Sequence, residues 1–198
     1  MPFDHAWLFE KIDGYLKKSP NKLPIILDVG CGNSMLHTFL EEEIRSGVIG
    51  IDRIFGKCPY SERDRRMDIC IDFTKDNDFF VNSTDIIYWC SSIEHNSIEE
   101  MRQCVESSFK ALKPGGLFLA TFCYAKETYF FKASDATVLS KSDAEDVFGV
   151  KWQGTVNFDE VVSEYKENIL GLHDRYKKRY GIEEYAFVVG GAEMVKGK

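Results

Sequence analysis

Leu23-Pro24-Ile25-Ile26-Leu27-Asp28-Val29-Gly30-Cys31-Gly32-Asn33-Ser34 is the stretch on which the fold turns. A short apolar run, Ile25-Ile26-Leu27, meets an acidic residue and then two glycines one residue apart. That is the pattern of a buried strand turning sharply into a helix beneath a nucleotide-like ligand. Glycine permits both the tight turn and a close backbone approach. The pattern predicts that Asp28 ends the strand with its carboxylate toward a cationic group of the ligand. An amphipathic helix over residues 35–43 should then turn Leu36, Phe39 and Leu40 inward.

Two nucleotide chemistries share this outline. A dinucleotide fold wants a third glycine three residues after the second and a pyrophosphate on the helix N-terminus, but Met35 stands at that place. Asp28-Val29-Gly30-Cys31-Gly32 instead resembles the first motif of the class I S-adenosylmethionine-dependent methyltransferases, in which an acidic residue precedes Gly-x-Gly. That ligand carries an ammonium and a sulfonium near the turn and no phosphate, so an acidic strand end suits it electrostatically. Ser34 takes the family's third small position. A strand-to-helix turn with no ligand is the plainer alternative.

Composition narrows the function classes. A chain of 198 residues, 44% hydrophobic and 29% charged, fits one globular domain with a good core. We divide it into an N-terminal helix (1–22), a cofactor-binding core (23–123) and acceptor-side elements that complete the sheet (124–198). A net charge of −7 argues against a nucleic-acid partner, which needs a basic footprint. No apolar run is long enough for a membrane helix, and Met1-Pro2-Phe3-Asp4-His5 has no signal-peptide pattern, so a cytoplasmic address is expected. Six cysteines without Cys-x-x-Cys spacing point to buried free thiols, with no metal site.

Before the glycine turn, Leu8, Phe9, Ile12, Tyr15 and Leu16 fall on one helical face ending near Ser19-Pro20. That helix either covers a sheet edge or forms a lid over the ligand. Beyond the turn, Val48-Ile49-Gly50-Ile51-Asp52 reads as a second strand, and Asp52 follows Asp28 by 24 positions. This is close to the roughly 20-residue interval at which a carboxylate takes ribose hydroxyls. Arg53 either flanks the adenine or is a solvated charge, and the basic stretch over 56–66 reads as a solvated loop. Met67-Asp68-Ile69-Cys70 is a third strand. The resemblance implies that Asp68 accepts from the adenine amino group while the Ile69 amide meets a ring nitrogen. Phe73, Phe79, Phe80 and Val81 are assigned to the core.

Asp85-Ile86-Ile87-Tyr88-Trp89-Cys90 has the continuous apolar character of a central parallel strand. It opens into Ser91-Ser92-Ile93-Glu94-His95, where catalytic groups of open α/β sheets gather. The Ile-Glu-His run resembles a Leu-Glu-His segment of small-molecule and glycan methyltransferases. By that resemblance Cys90 and Ser91 supply backbone contacts near the sulfonium, and Glu94 and His95 are the catalytic candidates, His95 as proton acceptor. The structural alternative has Glu94 and His95 capping the helix over 97–112. Lys113-Pro114-Gly115-Gly116 stops that helix and looks like the family's Leu-Lys-Pro-Gly-Gly segment.

Past the fifth strand (117–122) the resemblance thins. Tyr124, Tyr129, Phe130, Phe131 and Trp152 are either core or a wall for a ring-shaped acceptor. A helix over 140–148, a strand over 150–156, a long amphipathic helix over 158–180 and a last strand over 185–189 complete the chain. The long helix packs on the sheet, builds a homodimer contact or closes over the acceptor.

The fold expected is an α/β, Rossmann-like three-layer sandwich, with a mainly parallel seven-stranded sheet in the family's order 3-2-1-4-5-7-6 and an antiparallel last strand. The resemblance implies S-adenosyl-L-methionine as cofactor and a small-molecule or saccharide acceptor, methylated at oxygen. Two rivals are a catalytically silent methyltransferase-like module serving as a partner subunit and a nicotinamide-dependent oxidoreductase, the latter disfavoured by Met35.

Overall fold

The computed structural model describes residues 3–21, 23–32, 35–44, 47–53, 67–75, 78–132, 134–149 and 188–197. Strands β1 (Ile26–Val29), β2 (Val48–Asp52), β3 (Met67–Cys70), β4 (Thr84–Cys90) and β5 (Leu112–Tyr124) are parallel, and β8 (Val188–Val195) runs antiparallel to β5. The sheet order is 3-2-1-4-5-8, so the expected Rossmann-like architecture with an antiparallel last strand is present; among the described residues this sheet has six strands, where seven in the order 3-2-1-4-5-7-6 were expected. The elements expected over 150–156 and 158–180, with Trp152, lie outside the described residues, as does the loop over 56–66.

The pleat divides the core into two layers. In β1, Leu27 and Val29 face α3 (Ile98–Ala111) and α4 (Lys141–Phe148), where they join Ile51, Ile87, Trp89, Met101, Val105 and Phe148. Ile26 points the other way with Ile86, Tyr88 and Leu119, against Trp7, Leu8 and Ile12 of α1 (Phe3–Lys18) and Leu36 and Leu40 of α2 (Met35–Ile44). Successive side chains of a strand alternate faces, so each central strand serves both layers. Each large side chain so buried contributes about 1.5 to 3 kcal/mol.

Helix α3 borders the site, and its ends are well tied. Ser97 is its N-cap: its Oγ accepts from the Glu100 N–H at 3.3 Å, while the Glu100 carboxylate accepts from the Ser97 N–H at 2.8 Å. This reciprocal box satisfies two otherwise orphaned donors. The capping role weighed for Glu94 and His95 therefore falls to Ser97. At the other end Lys196 Nζ, just past β8, donates to the carbonyls of Phe109 and Leu112, each at 2.6 Å, and so docks on the end of α3.

Other expectations shift. Phe73 is buried, but Phe79 is 87% exposed and Val81 is exposed as well, because the single 3-10 turn Asp78–Phe80 turns only Phe80 toward Phe73. Cys31 and Cys104 are buried free thiols, whereas Cys70 is exposed. A hairpin of β6 (Tyr129–Phe131) and β7 (Ala136–Val138) follows β5, where sequence periodicity predicted only an aromatic stretch. Among the described residues no helix is long and apolar enough to cross a membrane.

Candidate active site

The glycine turn is clamped from two sides. The N–H groups of Gly30 and Cys31 both donate to the Ile51 carbonyl, at 2.7 and 3.1 Å, which ties the turn to β2. From β4, the Ser92 hydroxyl donates to the Val29 carbonyl at 3.0 Å. Gly30 has φ +70, and a Cβ there would lie 2.6 Å from Ser92 Cβ. Only glycine fits. Gly32, at φ +42, donates its N–H to Asp52 Oδ2 at 3.1 Å, so the carboxylate at the tip of β2 is held against the turn.

Above this turn, at the carboxyl ends of the strands, opens a cavity of about 540 Å³, within the range of small-molecule and cofactor sites. Its wall contains Gly30, Gly32, Asp52, Arg53, Ser91 and His95, six of the residues the sequence pointed to. Residues the sequence did not single out for the site complete it: Asp72 and Phe73 beyond β3, Trp89 of β4, Ser92, and Glu100, Gln103 and Cys104 of α3. Asp72 is held below the usual carboxylate range, chiefly by its bond to Lys75 and by that to the Thr74 hydroxyl.

His95 presents a defined tautomer. Its Nδ1 lies 2.8 Å from the Asp135 carbonyl, which can only accept, so in the neutral ring Nδ1 carries the proton and Nε2 is the basic nitrogen. The Asp135 that holds His95 and the nearby Ser91 are both strained. Asp135 and Ser91 adopt left-handed conformations, at φ +53 and +46, which non-glycine residues keep only where their surroundings impose them. The Ser91 N–H is fixed by Thr121 Oγ1 at 3.0 Å.

Several expected contacts are not made on the cavity wall. Asp28 is fully buried and faces the α1–α2 layer, since the pleat that sends Val29 to the cavity sends Asp28 to the opposite side. Its Oδ2 lies 3.7 Å from Nδ1 of His37, also fully buried, and neither side chain has a hydrogen-bond partner. Tyr88 stands opposite Asp28 on β4, and burial first, then that carboxylate, push its phenol well above the ordinary value. Cys31 contributes its backbone to the turn and turns its thiol into the protein. Cys90 points toward α1, with Sγ 3.7 Å from Asp4 Oδ2.

The third strand differs too. Ile69 pairs with Ile51 inside the sheet and lies off the cavity wall, while the side chain of Asp68 is outside the described residues. Asp68 is abreast of Gly50, two positions short of the strand tip where Asp52 sits. Asp72 and Phe73, just past the tip, reach the cavity instead. Asp28, sealed in the α1–α2 layer, thus does not join Asp52 on the cavity wall. The usable signal was the acidic residue following a strand end, which Asp72 shares with Asp52. Glu94 is 4% exposed and absent from the cavity wall; burial raises its carboxyl to about 8, with Asp4 adding to the rise.

Residues 27–120 match the family model described as a methyltransferase domain. The match covers a little under half of the chain, the part that carries the glycine turn and strands β1 to β4, so this part is similar to a methyltransferase domain in sequence as well as in sheet order. Among solved structures, phosphoethanolamine N-methyltransferase 2 of Haemonchus contortus, with phosphomonomethylethanolamine and S-adenosylhomocysteine bound, superimposes at TM-score 0.69 and 17% identity over 96% of this chain. This chain spans about half of that enzyme, 53%. The [4+2]-cyclase SpnF follows at TM-score 0.66 and 14% identity, over 93% of this chain and 79% of its own. A Burkholderia thailandensis 1,6-didemethyltoxoflavin N1-methyltransferase, with its acceptor and S-adenosylhomocysteine, gives 0.64 and 11%, over 98% and 77%. At such identities the likeness is one of fold. No curated protein matches the sequence significantly.

Proposed function

We propose that the chain binds S-adenosylmethionine in this cavity and transfers its methyl group to a hydroxyl of a small-molecule or saccharide acceptor. The observation that carries the reading is the glycine turn: a cradle with no room for a Cβ at Gly30, locked by the Gly32 N–H to Asp52 and opening into the cavity. Gly30 and Gly32 take the methionine part and Asp52 the ribose hydroxyls. Asp72 and the Phe73 amide take the adenine, in place of Asp68 and Ile69, with Arg53 at its rim. Ser91 stands at the sulfonium end.

When bound, the cofactor supplies a sulfonium methyl that is already electrophilic. The protein's part is to orient a nucleophile behind it and keep water out, and orientation alone is worth on the order of 7 to 11 kcal/mol in the best cases. His95 Nε2 takes the acceptor hydroxyl proton, with Nδ1–H held by Asp135.

Calorimetric titration with S-adenosylhomocysteine tests the cofactor half. Binding is expected, and Asp52→Ala should weaken it by about 1 to 3 kcal/mol. Absence of binding in the unaltered chain would leave a silent module, and an unchanged dissociation constant in the variant would take Asp52 out of the site.

A further inference from the structure

Ser91 stands in two places at once. It lines the cavity, and its hydroxyl donates at 3.0 Å to Asp4 Oδ2, from the first turn of α1. Behind it, on the α1 side of the sheet, lies a set of polar side chains drawn from separate elements: Asp4, Glu94 after β4, Cys123 of β5 and Tyr129 of β6. Cys123 Sγ contacts Glu94 Oε1 at 3.8 Å, and Cys90 Sγ lies near the same oxygen of Asp4 that Ser91 holds.

Asp4 is served, its Oδ1 accepting from the His5 N–H at 3.0 Å and its Oδ2 from Ser91, but Glu94 and Tyr129 are not. A thiol is a weak donor, so Oε1 of Glu94 gains little, while Oε2 of Glu94 and the Tyr129 hydroxyl are buried with no partner at all. Glu94 is more than nine-tenths buried. Burial raises the Glu94 carboxyl, and the negative charge of Asp4 adds to the rise. A buried group of this kind is normally served by a donor.

We propose that this cluster, reached from the cavity past Ser91, anchors the acceptor and that the acceptor carries an amine, seated as its ammonium between Asp4, Glu94 and the Tyr129 hydroxyl. An ammonium offers three donors and a positive charge, which match two carboxyls and a phenolic oxygen. A hydroxyl would serve one of the three, and a phosphate or carboxylate would add a third negative charge. A divalent metal is the competing cation, because ligand atoms of Asp4, His5 and Cys90 lie within 4.8 Å of one another. That arrangement leaves Glu94 and Tyr129 unserved, and it needs the Cys90 thiolate, which burial and then Asp4 disfavour. The proposal rests on the methyl-transfer reading: the methylated oxygen lies on the His95 side of Ser91 and the ammonium on the Asp4 side.

Entry of the ammonium favours ionised Glu94, so at neutral pH binding releases a proton. The test uses the full chain saturated with S-adenosylhomocysteine, whose own binding is measured first. It is then titrated with glucosamine and with glucose, which differ by one ammonium in place of one hydroxyl. Glucosamine should bind about tenfold or more tighter than glucose, with a heat that varies with buffer ionisation enthalpy. Asp4→Asn should remove most of the preference, and Glu94→Gln should remove both the preference and the proton release, each with unchanged S-adenosylhomocysteine affinity as the check on folding. Equal binding of the two sugars, binding of neither, or a preference that survives both variants would overturn the proposal. So would tight Zn²⁺ binding that Cys90→Ala abolishes. Loss of S-adenosylhomocysteine binding in the unaltered chain would instead overturn the methyl-transfer reading itself.

Discussion

Asp52 and Asp28 sit at the ends of neighbouring strands, two residues of one chemistry with opposite fates. Asp52 is half-buried on the cavity wall, gripped by the Gly32 N–H. Asp28 is sealed under the same turn beside His37 and Tyr88, with no access to the cavity. Asp28 is abreast of Gly50, so Asp52 stands two positions further along the register: Asp28 is still inside the sheet and points to the α1–α2 layer, while the strand-terminal Asp52 reaches past the sheet edge. Position relative to the strand tip decides whether a carboxylate recognises a ligand or braces the scaffold.

Four perturbations would break or sharpen this contrast. The largest effect is expected from Gly30→Ala, which forces a Cβ into Ser92 at a left-handed φ. We expect about 3 to 5 kcal/mol lost in urea denaturation, from conformational strain and overpacking together, with S-adenosylhomocysteine binding abolished. Next comes Asp28→Ala, which removes a fully buried carboxyl from beside His37 and Tyr88 and should cost about 3 kcal/mol of stability through the cavity left behind, while changing S-adenosylhomocysteine affinity less than Asp52→Ala does. The reverse pattern, stable protein with lost binding, would return Asp28 to the ligand site.

Glu94 gives a pH-dependent test. Its folded carboxyl titrates near 8 and its unfolded one near 4.5, so folding retains a proton that the unfolded chain gives up between those values. The stabilisation is complete below about 4.5 and is lost as pH rises toward 8. Denaturation midpoints measured from pH 5 to 8 should fall for the unaltered chain, and Glu94→Gln should flatten that slope, by about 1 to 3 kcal/mol at pH 8. A slope identical in both proteins would place the titration elsewhere. The smallest effect belongs to Ser97→Ala, which removes the α3 cap at about 1 kcal/mol and should leave the cofactor dissociation constant within about twofold.

Much of the site was legible because glycine spacing and strand ends are local features. Gly30, Gly32, Asp52 and Ser91 all follow from where a strand must stop and a chain must turn, and the structure places each on the cavity wall. The role given to Asp68 rests on the family resemblance alone; strand β3 continues past it to Cys70, and Asp72, beyond the strand end, lines the cavity. The β6–β7 hairpin, whose Asp135 carbonyl orients His95, left only a short aromatic run followed by Ala136-Thr137-Val138, too brief for periodicity to register.

By itself the sequence determined the alternation of strands and helices, the sheet's parallel core and the glycine turn, since these depend on apolar period, glycine placement and chain direction over a few residues. Tertiary structure alone decided which carboxylates face the cavity and which are sealed, that Ser97 and Lys196 rather than Glu94 close the ends of α3, and that Asp4 meets Ser91 across 87 residues of chain. Those outcomes depend on which layer covers each face of the sheet, a relation between distant segments that no local pattern encodes.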